Sequence, residues 1–151
     1  MLRFVEFESQ SRVGAIYGRV SVLDTENEIE HGSLEQQQHM GFEQAKYLSK
    51  NTGVEHTIKH VLIEDKGISG GTSYRPKYQE LLKLISERKI DFVVAKEISR
   101  ISRSTSDFCQ FMTLCKQNNV SVHIRGLDVD FSTPYGSAIH LLRQRHLWKP
   151  H

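Results

Sequence analysis

Short apolar runs alternate with segments of helical periodicity along the chain, and this alternation constrains the fold more than any other feature. Four runs rich in β-branched residues predict buried strands, and a fifth run predicts a short strand: Val13 to Val20, His60 to Glu64, Phe92 to Ala95, Val120 to Ile124 and Val129 to Phe131. Strands that alternate with helices predict a mainly parallel sheet with helices on both faces. We therefore expect a three-layer α/β domain with four or five strands.

The segments between the predicted strands carry helix signals. Ser33 and Gln36 have the spacing of a capping box, so residues 22–32 are predicted to be a loop and the first helix to begin at Ser33. Pro76 stands at a first helical position, and Thr133 with Pro134 opens a last helix. Apolar residues at helical spacing predict the buried sides of the first three helices: Leu34, Phe42, Ala45 and Leu48; Tyr78, Leu81, Leu82 and Ile85; Phe108, Phe111, Met112 and Cys115.

The composition excludes several classes of protein. A chain of 151 residues that is 38% hydrophobic and 25% charged suits one globular domain. No apolar stretch is long enough to span a membrane, and Glu6 and Glu8 do not fit a signal peptide. Cys109 and Cys115 fall in one predicted helix, so we expect neither a disulfide framework nor a zinc site, and we expect a cytosolic protein.

The sequence also indicates which ligands to expect. The eight histidines are scattered without the spacing of metal ligands, and no P-loop occurs, so we predict no metal and no cofactor. A net charge of +2 is too mild to indicate a nucleic-acid partner by itself. The positions of the positive charges therefore matter more than their number.

Three polar motifs follow three of the predicted strands. They are Tyr17 to Ser21, Asp65 to Gly70 and Ser99 to Ser104. The carboxyl ends of parallel strands line one crevice, where α/β sheets bind their ligands. We therefore expect a serine, an acid and several arginines to meet at this edge, a combination suited to a phosphodiester.

The first motif places an arginine and a serine together. Tyr17, Arg19 and Ser21 share one side of their strand, because side chains alternate between its two faces. A serine hydroxyl is a weak nucleophile that needs activating neighbours. A lone serine such as Ser21 is far more often a partly buried polar residue at a strand end than a nucleophile. Arginine is rarely buried without a partner, so Arg19 in an apolar strand indicates an anionic partner or ligand.

The other two motifs have ordinary explanations as well as functional ones. Arg100 and Arg103 stand at i and i+3, so a helical turn would place both guanidinium groups on one face, where they can bind phosphate bidentately. The alternative for this pair is a solvated helix start that is paired with Asp107. Asp65 and Ser69 belong to a glycine-rich segment that is also typical of a turn.

Taken in order, these motifs resemble the catalytic domain of the serine recombinases, the resolvase and invertase family. The residues that carry the resemblance are Tyr17 to Ser21, Ser33 to Gln37, Asp65 to Gly70, Arg75 with Pro76, Ile90 to Val94, and Ser99 to Ser104. The ordered set is specific, although no single motif is, and it extends from about Val13 to Leu142. The first two elements look most like the large serine recombinases of phages and mobile elements.

The resemblance implies a role for each matching residue. Ser21 matches the nucleophile, which attacks a DNA phosphodiester, forms a 5′-phosphoserine link and allows the strands to be rejoined without a cofactor. Arg19, Arg100 and Arg103 match the arginines that hold the scissile phosphate. The DNA-binding or supporting positions are Tyr17, Gln37, Asp65, Ser69, Arg75 and Asp91. DNA is the implied partner, and the full-length family forms dimers and tetramers.

Three features depart from the family pattern. Ser99 stands where many members have an aspartate before the first arginine, so the role of that acid is in question. The family's long dimer-forming helix is expected after Pro134, but residues 143–151 do not resemble its continuation, and residues 1–12 match nothing in the family. We therefore divide the chain into an N-terminal extension (1–12), a catalytic domain (13–142) and an atypical C-terminal tail (143–151) with no DNA-reading domain. We expect a monomer or a weak dimer.

The sequence leaves three functions open. The first is a catalytic recombinase domain, which the set of Ser21 and its three arginines favours. The second is a truncated, non-catalytic remnant that acts as an interaction or regulatory module, which the incomplete last helix favours. The third is a flavodoxin-like domain for a small phosphorylated ligand, which the lack of a glycine-rich nucleotide loop after the first strand disfavours.

Overall fold

A computed structural model describes residues 11–19, 29–64, 75–102, 104–124 and 127–131, and within these ranges it leaves out the side chains of residues 29–34, 98 and 99. The elements in chain order are β1 (Arg12–Arg19), α1 (Ile29–Thr52), β2 (His56–Glu64), α2 (Pro76–Ser86), β3 (Phe92–Ala95), α3 (Ile98–Ile101), α4 (Thr105–Gln117), β4 (Ser121–Ile124) and β5 (Leu127–Val129). In this described part of the chain, no helix combines the length and apolar character of a membrane span.

The strands form one sheet in the order β2-β1-β3-β4-β5. The first four strands are parallel, and β5 runs antiparallel to β4. After β2 the chain crosses back past β1 to form β3, so the strand order reverses between β1 and β3. Such a reversal opens a crevice at the carboxyl ends of the strands. The mainly parallel α/β fold predicted from the sequence is confirmed.

The larger part of the core lies on the face of the sheet that α2 and α4 cover. Ala15, Tyr17, Val93 and Val122 of the strands pack in one cluster with the apolar residues of these helices. The buried sides of α2 and α4 agree with the predicted periodicity, and they contain Leu81 and Ile85 in α2 and Phe108, Phe111, Met112 and Cys115 in α4. Ile101 belongs to the same cluster, so the one-turn helix Ile98–Ile101, which carries Arg100, is packed against this core.

The opposite face of the sheet is covered by α1. Ala45 and Leu48 of this helix pack against Phe92 of β3. Gly41 allows the helix to approach β1 closely, because any Cβ at this position would collide with the side chain of Ile16. This close approach brings the first half of α1 down onto the end of β1, next to the candidate site.

The structure corrects two predictions about α1. The helix begins at Ile29, so Ser33 lies inside it and is not its N-cap. A capping signal marks a favourable start but does not forbid an earlier one, because helix extension adds a hydrogen bond for each residue. Phe42, predicted on the buried side, is 43% exposed, because the buried stripe follows four other residues at helical spacing: Gln37, Gly41, Ala45 and Leu48.

Two strand boundaries also differ from the prediction. β2 begins at His56 rather than at His60, because it pairs along the whole length of β1 and the polar residues at its start complete that ladder. β5 is Leu127–Val129 rather than Val129 to Phe131, and its register is set by pairing with β4. The last helix predicted from Thr133 lies outside the described residues.

Candidate active site at the carboxyl edge of the sheet

Residues from four elements meet at the carboxyl edge of the sheet. Tyr17 and Arg19 lie at the end of β1, and Glu64 ends β2 directly opposite Arg19 in the strand register. Arg100 lies in α3, a one-turn helix that follows β3 and contacts β1. Arg75 immediately precedes α2. The parallel topology thus collects at one edge residues that are far apart in the sequence.

Tyr17 and Glu64 form a buried pair at this edge. Tyr17 Oη donates a hydrogen bond to Glu64 Oε2 at 2.9 Å. The carboxylate also accepts the backbone N–H groups of Lys77 and Tyr78, each at 3.0 Å. These N–H groups belong to the first turn of α2, where they have no partner within the helix, so Glu64 caps the helix from the neighbouring strand.

Arg75 joins this pair to the segment that holds Arg100. Its Nη2 atom donates to Tyr17 Oη at 2.8 Å and to the carbonyl oxygen of Arg100 at 3.1 Å. The Arg75 guanidinium lies 4.0 Å from the ring centroid of Tyr78 and 5.4 Å from that of Tyr17, which adds cation–π attraction. Arg75 is therefore held between two rings and bound to the backbone of α3.

Burial changes the acid–base behaviour of both tyrosines. Desolvation raises the pKa of Tyr17 well above its ordinary value, and the charge and hydrogen bond of Arg75 oppose this rise. Desolvation also raises the pKa of Tyr78 to about 12, and Arg75 opposes that rise too. Both hydroxyls therefore stay protonated at neutral pH, which allows Tyr17 to donate to Glu64 while it accepts from Arg75.

Gln37 of α1 also reaches this edge. Its side chain is 3% exposed, and its Nε2 atom donates to the carbonyl oxygen of Arg19 at 3.4 Å. Among the described residues its Oε1 atom has no hydrogen-bond partner. That atom faces Gly18, where any Cβ would collide with it, so the glycine makes room for the amide.

Asp91 lies at the opposite, amino edge of the sheet. Its Oδ2 atom accepts from the backbone N–H of Val13 at 2.9 Å, and its carbonyl oxygen accepts from Arg12 Nη2 at 2.8 Å and from Ser121 N at 3.0 Å. Arg19 lies six residue steps along the strand from Val13, which corresponds to roughly 20 Å. The structure therefore does not bring Asp91 together with the arginines, and its contacts tie β1, β3 and β4 to one another.

Four predicted site residues lie outside the described residues, namely Ser21, Asp65, Ser69 and Arg103, and so does the side chain of Ser99. Their roles stay predictions. Three of them adjoin the described edge in the sequence: Ser21 comes two residues after Arg19, Asp65 follows Glu64, and Arg103 follows Ser102.

Glu64 is the residue at this edge that the sequence analysis missed. It is 2% exposed, although the sequence suggested only that it ends a strand. The available signal was an acidic side chain at the end of an apolar run, because a buried carboxylate requires hydrogen-bonding partners. In the described ranges, no three His, Cys, Asp or Glu side chains are grouped so that they could hold a metal ion.

The arrangement suits an anion with several oxygen atoms. Arg19 and Arg100 come from neighbouring positions at the switch point of the sheet, and guanidinium groups bind phosphate oxygens in pairs. Positive charge that is held in place before a ligand arrives stabilises negative charge with little reorganisation. The fold and the edge together define an α/β domain with arginines collected at the carboxyl ends of its strands.

Comparisons with known proteins identify the class more closely. The family model described as "Resolvase, N terminal domain" matches residues 14–144. The fold is similar to the N-terminal catalytic domain of TP901-1 integrase, with 22% identity, a TM-score of 0.59, and coverage of 87% of this chain and 90% of that one. It is also similar to a resolvase family site-specific recombinase from Streptococcus pneumoniae, with 18% identity, a TM-score of 0.60 and 91% coverage of both chains. No curated protein matches the chain.

The family match covers most of the chain and is therefore decisive. The chain belongs to the resolvase family, and it is the catalytic domain of a site-specific serine recombinase, an enzyme that cleaves and rejoins DNA. The flavodoxin-like alternative is thereby excluded. The resemblance that the sequence motifs predicted is confirmed.

Proposed function

We propose that this chain cleaves a DNA phosphodiester with Ser21 as the nucleophile, while Arg19, Arg100 and Arg103 hold the phosphate. The observation that carries the proposal is the meeting of Arg19, Arg75 and Arg100 at the carboxyl edge of the sheet, where the chain leads on to Ser21. The likeness to the catalytic domain of an integrase supports the same conclusion.

The proposed step exchanges one ester for another. Ser21 Oγ attacks phosphorus, the new P–O bond forms as the bond to the 3′ oxygen breaks, and the serine proton is transferred overall to the departing 3′ hydroxyl. The product is a 5′-phosphoserine link that keeps the ester bond for rejoining. The reaction needs no cofactor, because the number of phosphodiester bonds does not change.

The arginines would act by stabilising the negative charge that grows on the phosphate oxygens. A charge-assisted donor placed where that charge develops is worth about 3 kcal/mol of barrier height. Gln37, Asp65 and Ser69 are proposed to support the site from α1 and from the segment after β2. For Arg75 the described contacts support an indirect contribution, because its Nη2 is bound to Tyr17 and to the backbone of Arg100.

A covalent trapping assay tests the proposal. The chain is incubated with a pool of randomised DNA duplexes that carry a nick, and the products are separated on a denaturing gel. A serine recombinase becomes linked to the 5′ end at the break, so a label at the 3′ terminus of the cleaved strand should migrate with the protein. A label at the 5′ terminus of that strand should be released.

Three variants and one reagent make the assay specific. Ser21→Ala should abolish the covalent product and leave the thermal unfolding midpoint unchanged, whereas Ser106→Ala, at an exposed serine of α4, should retain it. Arg100→Lys should reduce the product about 100-fold or more, because an ammonium group cannot replace the bidentate fork. A chelator should have no effect. A folded chain that forms no covalent product would instead support the non-catalytic remnant.

Assembly and location are further parts of the proposal. Dimers and tetramers on DNA are the expected forms of a full-length recombinase, whereas this chain alone is expected to be a monomer or a weak dimer. The reason is that residues 143–151 do not resemble the continuation of the family's dimer-forming helix. Sedimentation at micromolar concentration tests this expectation. The cytoplasmic location predicted from the sequence is part of the same proposal, because it gives the enzyme access to DNA in a cell without a nucleus.

A further inference from the structure

Glu64 is a buried charge for which the proposed reaction gives no role. It lies at the end of β2, and its two oxygen atoms accept three hydrogen bonds from two other elements. Removing a carboxylate from water costs more free energy than removing a neutral side chain, unless hydrogen bonds compensate for the lost hydration. The three bonds satisfy the charge and identify what it holds in place.

Two of these bonds replace an ordinary helix cap. Arg75 occupies the N-cap position of α2, and its side chain makes no capping hydrogen bond. Glu64 supplies the missing acceptors to Lys77 N and Tyr78 N, so it anchors the start of α2 against the end of β2. This anchor also fixes the position of Arg75, which directly precedes the first residue of α2.

The third bond leads towards Arg100. Tyr17 Oη donates to Glu64 Oε2 and accepts from Arg75 Nη2, whose other bond is to the carbonyl oxygen of Arg100. The raised pKa of Tyr17 keeps its hydroxyl available as a donor. A one-turn helix such as α3 has almost no stability of its own, so the bond from Arg75 to its backbone contributes to its position.

We propose that Glu64 is a positioning residue for Arg100, acting through Tyr17 and Arg75. The carboxylate fixes the Tyr17 hydroxyl and the start of α2, both fix Arg75, and Arg75 holds the backbone of α3 so that the Arg100 guanidinium faces the phosphate. The inference rests on the proposed function only in taking a DNA phosphate as the ligand of Arg100.

A purely structural role and a purely electrostatic role make different predictions. If Glu64 only caps α2, its removal lowers stability and leaves the DNA affinity of the folded protein unchanged. If its negative charge only repels DNA, Glu64→Gln raises the net charge by one and tightens binding. A positioning role predicts weaker binding despite the added positive charge, so the direction of the change separates the three cases.

The experiment measures binding to a random-sequence DNA duplex at fixed salt, with Ser21→Ala present in every variant so that cleavage cannot contribute. Glu64→Gln and Tyr17→Phe are each expected to weaken binding by roughly tenfold, which is the worth of one charge-assisted hydrogen bond. Tyr17→Phe removes the hydroxyl that links Glu64 to Arg75, and it leaves the two bonds with which Glu64 caps α2 in place. It therefore also tests the inference if Glu64→Gln fails to fold.

Two further variants supply the controls. Ile85→Val removes one buried methyl group from α2, lowers stability by about 1 kcal/mol and leaves the chain of hydrogen bonds intact, so it should not change DNA affinity. Arg100→Gln should weaken binding, and adding Glu64→Gln to it should cause no further loss. Non-additivity of this kind shows that Glu64 acts through Arg100.

Side-chain NMR supplies a readout that does not depend on DNA. With 15N-labelled arginine, the guanidinium of Arg75 should exchange slowly with solvent in the parent chain and rapidly in both Glu64→Gln and Tyr17→Phe. Unchanged exchange, or DNA affinity that stays the same or increases in Glu64→Gln, would overturn the inference. A failed cleavage assay would not, because the binding and exchange measurements are made without cleavage.

Discussion

At the scale of single residues, one hydroxyl stands between a carboxylate and a guanidinium. Tyr17 donates to Glu64 and accepts from Arg75, and all three side chains lie at the end of the sheet where the arginines collect. The sequence placed Tyr17 and Arg19 on one side of a strand. It did not show that Glu64, 47 residues further along, was the hydrogen-bonding partner of Tyr17.

Tyr78, the second buried tyrosine at this edge, should make the free energy of unfolding depend on pH in the alkaline range. Burial raises the pKa of Tyr78 from 10.0 to about 12, so the folded chain keeps a proton that the unfolded chain releases near pH 10. The unfolded state then binds fewer protons, and the free energy of unfolding falls as pH rises. The stabilisation is fully present below about pH 10 and is lost progressively between about pH 10 and pH 12.

Tyr78→Phe should therefore make the alkaline loss of stability shallower, because phenylalanine keeps the ring that contacts Arg75 but cannot ionise. Urea unfolding at pH 8, 10 and 11 measures the effect. Tyr47→Phe is the matched control, since that ring is 55% exposed and its replacement should leave the slope unchanged. If the free energy of unfolding fell equally steeply with pH in the parent chain, Tyr78→Phe and Tyr47→Phe, the assignment to Tyr78 would be contradicted.

Gly18 should be required because of Gln37. Any Cβ at position 18 would collide with Gln37 Oε1, and the amide is too deeply buried to move freely. Gly18→Ala is expected to lower the free energy of unfolding by about 2 kcal/mol, a common cost of overpacking. Gln37→Ala should remove most of that loss when both changes are combined. The same loss with and without Gln37 would show that the backbone, and not the collision, requires glycine.

At the scale of elements, the two edges of the sheet have different tasks. The carboxyl edge collects the arginines and the start of α2, whereas the amino edge joins neighbouring strands through Asp91. The sequence grouped Asp91 with the supporting site residues because of its position in a motif. Its contacts support the strands roughly 20 Å from Arg19.

Asp91→Ala is accordingly expected to affect folding and not chemistry. It leaves the N–H of Val13 without its acceptor, which should lower the free energy of unfolding by about 2 kcal/mol. Below the unfolding transition, covalent trapping on DNA should proceed at the parent rate. Loss of trapping in a variant that remains folded by circular dichroism would place Asp91 in the reaction after all.

At the scale of the whole molecule, the two cysteines report how the core opens. Cys115 is completely buried in α4, and burial raises the pKa of its thiol, whereas Cys109 of the same helix is partly exposed. A thiol must be both accessible and ionised to react. An aromatic disulfide reagent should therefore modify the Cys109 thiol of the folded chain quickly, and the Cys115 thiol only when the core opens.

The rate of the slow thiol should follow the global stability. Cys109→Ser should leave no rapidly reacting thiol in the folded chain, and urea should restore the reaction of Cys115. Fast modification of Cys115 without denaturant would show that α4 detaches from the sheet in local openings that the core packing does not predict.

The sequence by itself determined the alternation of strands and helices, the mainly parallel sheet, the buried sides of α2 and α4, and the family. These properties follow from periodicity and from the order of short motifs, which are local or linear along the chain. Only the tertiary structure decided where α1 begins, that Asp91 and Arg19 lie at opposite edges, and that Glu64, Tyr17 and Arg75 form one hydrogen-bonded chain. The physical reason is that a buried charge takes its partners from whichever elements the strand order brings beside it, and that order is set by packing across the whole sheet.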